Sequence, residues 1–418
     1  MAIKLAEVEV TQPLPTITDV DGYESVWILI KNQGIALGYV CLEECHDSIS
    51  PERLAREISN RMSVELMMDR LYRHFIGRPE PWKSGVTGLF EPIPDPSQEA
   101  YQPFISVLIC TRDRPEPLKD TLDSLLKVDY PHFEVLVIDN HPSDNRTKEL
   151  VAQYPFRYVL EPCPGLDWAR NRGIAQSKGE IIAFIDDDAT ADSLWLKGIA
   201  DGFAEPDTMC VTGLVLPIAL ETKAQELFEL AYGGFCKGFR RFYIRPSFTW
   251  KYQPYSINVG TGANMAFRKT AFDKIGGFDV AFDVGTVTGG GGDLDMFHRL
   301  IKSGLTISYR PEALVFHRHR ESIEAFRKQL LGYGISFPAL LTKWFIQEPE
   351  SRFLTLKFGL KWYRWWYANR TIRALRGWEL MPLGLIVLEG LMALTGPRAY
   401  FRSMRNARRL KEAYANAD

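Results

Sequence analysis

The chain has few of the features that mark secreted, zinc-stapled or membrane-spanning proteins. Its 418 residues include only six cysteines, and no two of them form a C-x-x-C pair. The sequence therefore predicts reduced core thiols and neither disulfides nor a zinc site. The first ten residues, MAIKLAEVEV, lack the apolar core of a signal peptide. Together these absences favour a cytoplasmic protein.

The chain as a whole also lacks an excess of charge of either sign. Its formal net charge is −2, which predicts no nucleic-acid partner. From Arg352 onward, however, 13 Lys and Arg stand against 4 Asp and Glu, a net of +9, so the preceding residues carry −11. This asymmetry predicts an anionic partner for the tail, and a membrane surface is one candidate.

No apolar run reaches the length of an ordinary transmembrane helix. Residues 380–396 form a 17-residue apolar stretch interrupted by Pro382 and Glu389, whereas a spanning helix takes about 20. Aromatic and basic residues alternate upstream, over 357–367, and five arginines follow from Arg398. We expect a helix that lies among lipid headgroups on the inner face of the plasma membrane. The alternative is a helical cap packed on the rest of the protein.

The chain does contain a regular alternation of predicted strands and helices after Phe104. Apolar runs predict strands at 105–110, 133–138, 156–160, 181–185 and 209–216, with helices between them. This order predicts an α/β fold, a doubly wound parallel sheet covered by helices on both faces. Before it, residues 1–76 predict a small α+β module, a hairpin around 31–34 followed by a helix, and 77–103 a linker. We expect the main domain over 104–345, with a helix at 222–242, and a helical tail over 346–418.

Polar residues collect where the predicted strands end. Thr111-Arg-Asp-Arg114 follows the first strand, Asp139 the second, and Asp186-Asp187-Asp188 the fourth. In a doubly wound sheet these ends face one crevice. Three adjacent carboxylates repel one another unless a divalent cation is bound. The sequence therefore predicts a Mn²⁺ or Mg²⁺ site that holds a diphosphate. For the triplet alone, an acidic turn capping the next helix is the alternative.

Further candidates lie at helix starts and in small-residue segments. Arg170 and Arg172 lie in the first part of a predicted helix and point to different faces, so one of them could reach a nucleotide. Asn264 lies in the segment GTGANMAF. Asp293 follows the glycine-rich TVTGGGG, where it could cap the next helix or act as a base. His317 ends an apolar strand, and its imidazole could complete a Mn²⁺ shell.

Taken in order, these residues resemble the family 2 glycosyltransferases of the GT-A fold, which implies a doubly wound, Rossmann-like mixed sheet. The resemblance covers about 104–345, and no single motif in it is decisive. It depends on the 105–114 opening, Asp139, Ala169-Arg-Asn171, the acidic triplet, GTGANMAFRKTAF, the segment 292–300 and His317-Arg-His319.

The resemblance implies roles for individual residues. Thr111 and Asp139 would hold the nucleobase, Asp186 the ribose and Asp188 the metal, while Asp293 would be the base. The complete candidate site comprises the catalytic Asp293, the donor-binding Thr111, Arg112, Asp113, Asp139, Arg170, Asp186 and Asp187, the metal ligands Asp188 and His317, and the sugar contacts Asn264 and Asp295. One departure is that Gly292 stands where the family usually has Glu, which leaves the acceptor open.

The implied activity is an inverting, metal-dependent, non-processive transfer from a nucleotide sugar. A UDP-sugar is the first expectation and a GDP- or dTDP-sugar the next. The acceptor would be a saccharide, a lipid-linked molecule or a small molecule, in polysaccharide, glycolipid or other cell-envelope glycan synthesis.

Three other classes of protein share part of this pattern, and each would differ from the sequence in one feature. A sugar nucleotidyltransferase would carry a glycine-rich loop after its first strand, where this chain has Thr-Arg-Asp-Arg-Pro. A processive synthase would carry Gln-x-x-Arg-Trp, which is absent from 327–334. A degenerate sugar-nucleotide-binding protein would have no need to retain Asp186, Asp188 and Asp293 together.

Overall fold

The structure is a computed structural model that describes residues 2–43, 45, 47–76, 101–245 and 258–414. The N-terminal module contains β1 (Ile3–Glu9), β2 (Ser25–Asn32), β3 (Ile35–Glu43) and α1 (Pro51–Ile76). Strands β2 and β3 are antiparallel and joined by Gln33 and Gly34, both with positive φ (51° and 77°), as a tight hairpin turn requires. The predicted hairpin and helix are confirmed, while most of the predicted linker, residues 77–100, lies outside the described residues.

The predicted alternation of strands and helices follows. Its elements are β4 (Ile105–Thr111), α2 (Pro115–Leu125), β5 (Phe133–Asn140), α3 (Arg146–Val151), β6 (Arg157–Glu161), α4 (Leu166–Gln176), β7 (Ile181–Ile185), β8 (Ala189–Ala191), α5 (Trp195–Gly202) and β9 (Thr208–Pro217). All five predicted strands are present. The three-residue strand β8, directly after the acidic triplet, was not predicted because it is too short to show a hydrophobic period.

The second half of the domain adds to the same sheet two antiparallel strands, β10 (Phe242–Ile244) and β11 (Asn264–Arg268), and one strand, β12 (Thr306–His317), that is parallel to β9. It also contains α7 (Lys269–Ile275) and α8 (Gly292–Lys302). The strand order is β10-β12-β9-β11-β7-β4-β5-β6, with β8 paired to β12. Strands β4 to β7 are parallel, and β11 runs antiparallel between β7 and β9. The predicted fold class, a doubly wound mixed sheet of the GT-A type, is confirmed.

Burial on both faces explains why the central strand reads as an unbroken apolar run. All five residues of β7 are buried. Ile181, Ala183 and Ile185 pack in one core layer, and Ile182 and Phe184 pack in the layer on the opposite face. A strand covered on both faces has no solvent-facing position to carry a polar residue.

The predicted helix over 222–242 is wrong beyond Tyr232. Helix α6 (Lys223–Glu226) continues only as a π-helical turn, Leu227–Tyr232. Gly233 and Gly234 follow with φ of 102° and 53°. Two consecutive residues with positive φ end a right-handed helix, and glycine adopts that conformation without a steric penalty.

The tail is helical, as predicted. Helix α9 (Ile323–Gln347) leads into it from the main domain, and the tail itself comprises a 3₁₀ turn (Pro349–Ser351), α10 (Arg352–Tyr363), a π-helical turn (Arg364–Ala368), α11 (Asn369–Leu375), α12 (Leu383–Ala393) and α13 (Gly396–Tyr414). The apolar stretch 380–396 is therefore divided between a turn, α12 and the start of α13. Within the described part of the chain, no helix has the length and apolar character needed to cross a membrane.

Candidate functional site

The carboxyl ends of β4, β5 and β7 open on a cleft of about 930 Å³. Helix α9 and the loop before α8 form its other walls. Eight of the twelve predicted site residues line the cleft, namely Thr111, Arg112, Arg170, Asp186, Asp187, Asp188, Asp293 and His317. The other four, Asp113, Asp139, Asn264 and Asp295, do not contribute to its lining.

Asp186, Asp188 and His317 form a group that could hold a metal ion. One ligand atom from each lies within 4.8 Å of the others. His317 Nε2 is 3.2 Å from Asp188 Oδ1 and 4.0 Å from Asp186 Oδ2. Two carboxylates and one imidazole suit Mn²⁺, which accepts both oxygen and nitrogen ligands. The donor set therefore fits the predicted cation, with Asp186 as an additional ligand.

Strand pairing brings these distant residues together. Strand β8 pairs with the end of β12, so that His317 stands opposite Ala189. The backbone N–H of Arg318 also donates to the carbonyl of Asp188 at 2.9 Å. The histidine is thus fixed beside the triplet by backbone hydrogen bonds.

The three acids of the triplet have different environments. Burial acts to raise the pKa of Asp188, but His317 and Arg114 outweigh it and lower that pKa. Burial raises the pKa of Asp187 to about 7. Asp187 accepts hydrogen bonds from Thr111 Oγ1 at 2.7 Å and Arg114 Nη1 at 2.5 Å. Asp187 is thus tied to the end of β4, whereas Asp186 and Asp188 face His317.

A second histidine lies behind the first. His317 Nδ1 is 3.3 Å from His319 Nδ1, and His319 Nε2 is 3.0 Å from Glu229 Oε2. Burial lowers the pKa of His319. Glu229 was not predicted as part of the site because it lies in an aromatic-rich segment and contacts the site through His319, two residues beyond the end of β12.

Arg170 is buried between two acids. Its Nη1 is 2.9 Å from Asp167 Oδ1 and 2.5 Å from Asp283 Oδ2, and its guanidinium lies 5.1 Å from the ring centre of Phe278. Burial acts to lower the pKa of Arg170, but Asp283 and Asp167 outweigh it and raise that pKa. Asp283 also lines the cleft; sequence reasoning missed it because it lies in a loop without a recognised motif.

Asp293 occupies the first turn of α8 and faces the cleft. Its Oδ2 accepts a hydrogen bond from the N–H of Gly262 at 2.7 Å, and its Oδ1 accepts one from the N–H of Leu294 at 2.8 Å. The N-cap is Gly291, so Asp293 does not have the capping role considered for it. Burial and the nearby Asp283 raise the pKa of Asp293. A raised pKa makes a carboxylate a better proton acceptor.

Asp139 is buried at the end of β5, and only one of its two carboxylate oxygens forms a hydrogen bond with a described residue. Its Oδ2 accepts a hydrogen bond from the Tyr158 hydroxyl at 3.0 Å, while its buried Oδ1 has no hydrogen-bond partner among the described residues. Burial raises the pKa of Asp139 to about 6.

Asp113 has a different role. It accepts hydrogen bonds from the N–H and Oγ of Ser143, at 2.8 and 2.9 Å, and so stabilises a loop.

Asn264 and Asp295 are packed into the core, away from the cleft. Asn264 accepts from Trp195 Nε1 at 2.9 Å and donates to the carbonyls of Leu214 and Ala313, at 3.0 and 2.7 Å. Asp295 is fully buried and pairs with Arg299 and Lys343, at 2.8 and 2.9 Å. The polar atoms of both side chains are thus engaged within the protein.

Three cations that were not among the twelve predicted site residues also line the cleft. They are Arg114, Arg320 and Lys328. Arg320 Nη1 is 3.3 Å from Asp188 Oδ2. None of the described acids forms an ion pair with Lys328. Cations beside a carboxylate group of this kind could bind a diphosphate.

Two family models match parts of this chain. The family model described as glycosyl transferase family 2 matches residues 106–276, and the model described as the N-terminal domain of galactosyltransferase matches 241–324. A pre-mycofactocin glycosyltransferase from Mycobacterium tuberculosis is 27% identical over 244 residues, 57% of this chain and 45% of its own length. A glucosyl-dolichyl phosphate glucuronosyltransferase from Haloferax volcanii is 27% identical over 272 residues, 61% of this chain and 78% of its own.

A more distant likeness is found among solved structures. A mannosyltransferase from Pyrobaculum calidifontis, in complex with GDP-Man and Mn²⁺, is 16% identical, with a TM-score of 0.42 over 85% of this chain and 86% of its own. That similarity is too low to transfer its ligands to this chain. The chain spans less than half the length of the mycobacterial relative.

Proposed function

The chain is a family 2 glycosyltransferase, matched over residues 106–276, and from that premise we propose a metal-dependent, inverting transfer of a sugar from a nucleotide-diphosphate sugar to an acceptor hydroxyl. The observation that carries the proposal is that one cleft contains both the group of Asp186, Asp188 and His317 and the separate carboxylate of Asp293. A single displacement needs these two parts, a site for the leaving diphosphate and a base for the acceptor.

The chemistry follows from these residues. When bound, a divalent cation held by Asp186, Asp188 and His317 would supply Lewis-acid charge to the leaving diphosphate. Asp293 takes the proton of the acceptor hydroxyl while the hydroxyl oxygen forms a bond to the anomeric carbon. The bond from that carbon to the diphosphate oxygen breaks, and its electron pair leaves with the nucleoside diphosphate. Lys328 lies where it could hold the diphosphate.

The free oxygen of Asp139 supports a role in binding the nucleobase. An N–H donor of the base would satisfy Oδ1, which otherwise stays buried without a partner. The imide N–H of uracil offers such a donor, and thymine and guanine offer one too. Because all three bases offer this donor, Asp139 does not choose among them, and a UDP-sugar stays our first expectation with GDP- and dTDP-sugars as the alternatives.

We propose cell-envelope glycan synthesis as the wider setting. Relatives of the chain include the dolichyl phosphate glucuronosyltransferase already described and a succinoglycan biosynthesis protein from Rhizobium meliloti, 29% identical over 254 residues. The acceptor would be a saccharide or a lipid-linked molecule, modified one residue at a time. A place on the inner face of the plasma membrane stays a prediction.

The test is to compare Asp293→Asn with the wild type. Each protein is incubated with UDP-, dTDP- and GDP-sugars, with and without Mn²⁺. Donor binding is measured by thermal shift, and nucleoside diphosphate release by a coupled assay. We expect donor binding to be unchanged and turnover to fall by about 10²- to 10⁴-fold, because only proton abstraction is lost.

Other outcomes would point elsewhere. Wild-type turnover in Asp293→Asn would contradict the assignment of the base. Donor binding without turnover in the wild type, with every acceptor class tried, would favour a degenerate binding protein. Pyrophosphate release from a nucleoside triphosphate and a sugar phosphate would favour a nucleotidyltransferase.

A further inference from the structure

Exposed apolar side chains are concentrated in the tail. Among the described residues, 16 of the 26 large apolar side chains that are exposed lie between Phe345 and Phe401. The much longer segments 101–245 and 258–322 together expose only Phe104, Leu126, Leu160, Leu230 and Val284. Scattered exposed apolar residues are ordinary, but a concentration of this size marks an interaction surface.

Helix α12 shows the concentration most clearly. Leu383, Val387 and Leu391 form an exposed stripe at a spacing of four residues, while Ile386 and Ala393 lie on the buried face. The helix is thus apolar toward the protein and apolar toward the outside. A helix on a protein surface in water normally carries polar residues on its outer face. The apolar outer face of α12 therefore indicates contact with an apolar partner.

Helix α10 adds cations beside a second apolar stripe. Phe353, Leu356 and Leu360 are exposed along one side. Lys357 and Lys361 are also exposed. Lys357 follows Phe353 by four positions and Lys361 follows Leu356 by five, so both lysines lie beside the apolar stripe. Both α10 and α12 pack against α9.

A groove near the end of the chain has the same mixed character. Its volume is about 360 Å³, and it lies between the end of α9 and α13, lined by Ile346, Gln347, Tyr400, Phe401, Met404, Arg405 and Arg408. Arg405 and Arg408 are exposed, and no described acid forms an ion pair with either. The groove therefore offers an apolar slot next to two free cations.

The positive charge of the tail favours an anionic partner for this surface. From Arg352 onward the tail carries a net +9. A second copy docking on the same surface would bring two such charges together, which is unfavourable. An anionic phospholipid layer offers both an apolar interior and negative headgroups.

We propose that helices α10 to α13 form a membrane-docking surface. Their exposed apolar side chains enter the headgroup layer of an anionic phospholipid membrane, and the groove with Arg405 and Arg408 holds a lipid phosphate. Because α9 lines the cleft near Tyr333 and the groove at Ile346, the two sites lie roughly 20 Å apart along one helix. Docking therefore holds the cleft at a fixed distance from the membrane, a property independent of sugar transfer.

The experiment is flotation of the full chain with phosphatidylcholine vesicles, with or without about 30% phosphatidylglycerol. We expect binding to the anionic vesicles that is at least about tenfold tighter than to the neutral ones and weakens in high salt. Val387→Glu/Leu391→Glu should bind at least about tenfold more weakly, because a charge then enters the headgroup layer. Arg405→Glu/Arg408→Glu should lose the preference for phosphatidylglycerol.

The matched control is Leu126→Glu/Leu160→Glu, which changes two exposed leucines of the main domain and should bind vesicles as the wild type does. Asp293→Asn should also bind normally, so a failure of the proposed catalysis can be told apart from a failure of docking. Wild-type affinity of Val387→Glu/Leu391→Glu for anionic vesicles would overturn the proposal. So would a wild-type dimer that this variant dissociates and that ignores vesicles, since a second copy would then be the occupant.

Fluorescence provides a test that does not depend on the folding of a variant. Trp365 and Trp378 are 61% and 66% exposed in the tail. Mixing the wild type with anionic vesicles should shift tryptophan emission to shorter wavelength, because these rings leave water. Trp365→Phe/Trp378→Phe should lose most of that shift. Emission of the wild type that is unchanged by vesicles would overturn the proposal.

Discussion

At the scale of single residues, the acidic triplet shows how environment divides identical side chains. Asp187 is held by Thr111 and Arg114, whereas Asp186 and Asp188 face His317. The pKa of Asp187 is raised to about 7 by burial, and that of Asp188 is lowered because His317 and Arg114 outweigh its burial. One of the three adjacent aspartates is thus held by the end of β4, and the other two face the imidazole of His317.

The tautomer of His317 follows from the residues behind it. Glu229 accepts the Nε2 proton of His319, and the lowered pKa of His319, caused by burial, favours its neutral form. His319 Nδ1 is then an acceptor, so the Nδ1–H of His317 donates to it. Burial acts to lower the pKa of His317, but Asp188 outweighs it and raises that pKa, so Nε2 also holds a proton, which points toward Asp188. A bound cation would replace that proton at Nε2, as metal ligation requires.

We therefore expect His319→Gln and Glu229→Gln to weaken Mn²⁺ binding by about 10- to 100-fold. The dissociation constant is measured by titration calorimetry or by the EPR signal of free Mn²⁺, so the readout does not depend on turnover. His132→Gln, an exposed histidine of the main domain, is the control and should bind Mn²⁺ normally. Equal affinity in all four proteins would remove any role for His319 and Glu229 in orienting His317.

Gly292 is explained by its neighbours. A Cβ at this position would lie 2.4 Å from Asp167 Oδ2 and 2.7 Å from Asp283 Oδ2. The two acids that surround Arg170 thus fill the space where the family pattern would place a glutamate. The negative charge absent from position 292 is present in the same region on Asp283.

Gly292→Ala should therefore cost about 1–3 kcal/mol of unfolding free energy, because the added methyl group overpacks the site. Gly384 in α12 is the control, since a Cβ there meets nothing within 4 Å. Gly384→Ala should leave stability unchanged or raise it by up to about 1 kcal/mol. Both are measured by urea unfolding, and similar midpoints for the two variants would show that the site around Gly292 relaxes freely.

At the scale of elements, α8 separates two acids that the sequence placed in one site. Positions two apart on a helix point to different faces, so Asp293 faces the cleft and Asp295 faces α9. The spacing itself could have shown that both acids would not reach the same ligand. Asp295 joins α8 to α9 through Lys343, which also pairs with Asp279 at 2.6 Å.

We expect Asp295→Asn to lose about 3–5 kcal/mol of stability, because it leaves buried cations without a partner. Asp293→Asn should keep or gain stability, because the raised pKa of Asp293 indicates that its ionised form is unfavourable in the fold. Urea midpoints for the two variants, measured together, check this contrast. If Asp293→Asn is the less stable of the two, the division of roles on α8 is incorrect.

At the scale of the whole molecule, one buried acid joins the tail to the wall of the cleft. Glu389 on α12 accepts hydrogen bonds from Trp366 Nε1 at 3.2 Å and the Tyr367 hydroxyl at 3.4 Å. The Tyr232 hydroxyl lies 3.5 Å away, and its ring stacks on the cleft-lining Tyr333. Burial raises the pKa of Glu389 to about 7.

This pKa makes stability depend on pH in a defined direction. Between the ordinary pKa of glutamate, about 4.3, and the raised value, the folded state holds a proton that the unfolded state has released. The unfolding free energy should therefore fall as pH rises through this window, by about 2–3 kcal/mol, and level off above about pH 7. Glu389→Gln should remove this decrease of the unfolding free energy with pH. Melting temperatures of the wild type and the variant, measured from pH 5 to 8, check this. An unchanged slope in Glu389→Gln would assign the pH dependence to other groups.

The sequence by itself determined the alternation of strands and helices, and hence the sheet, because hydrophobic period is a local property. It also placed the acidic triplet at a strand end and Asp293 at the start of a helix, since both signals lie within a few neighbouring residues. Only the tertiary structure decided that β8 pairs with β12 and brings His317 to Asp188. It alone showed Asp283 beside Arg170, Asn264 in the core and Glu229 behind His319. Contacts between residues distant along the chain depend on the order in which strands pair, and local periodicity does not encode that order. The same reason applies to the tail, where composition indicated apolar and basic residues but only packing against α9 left one apolar face of α12 exposed.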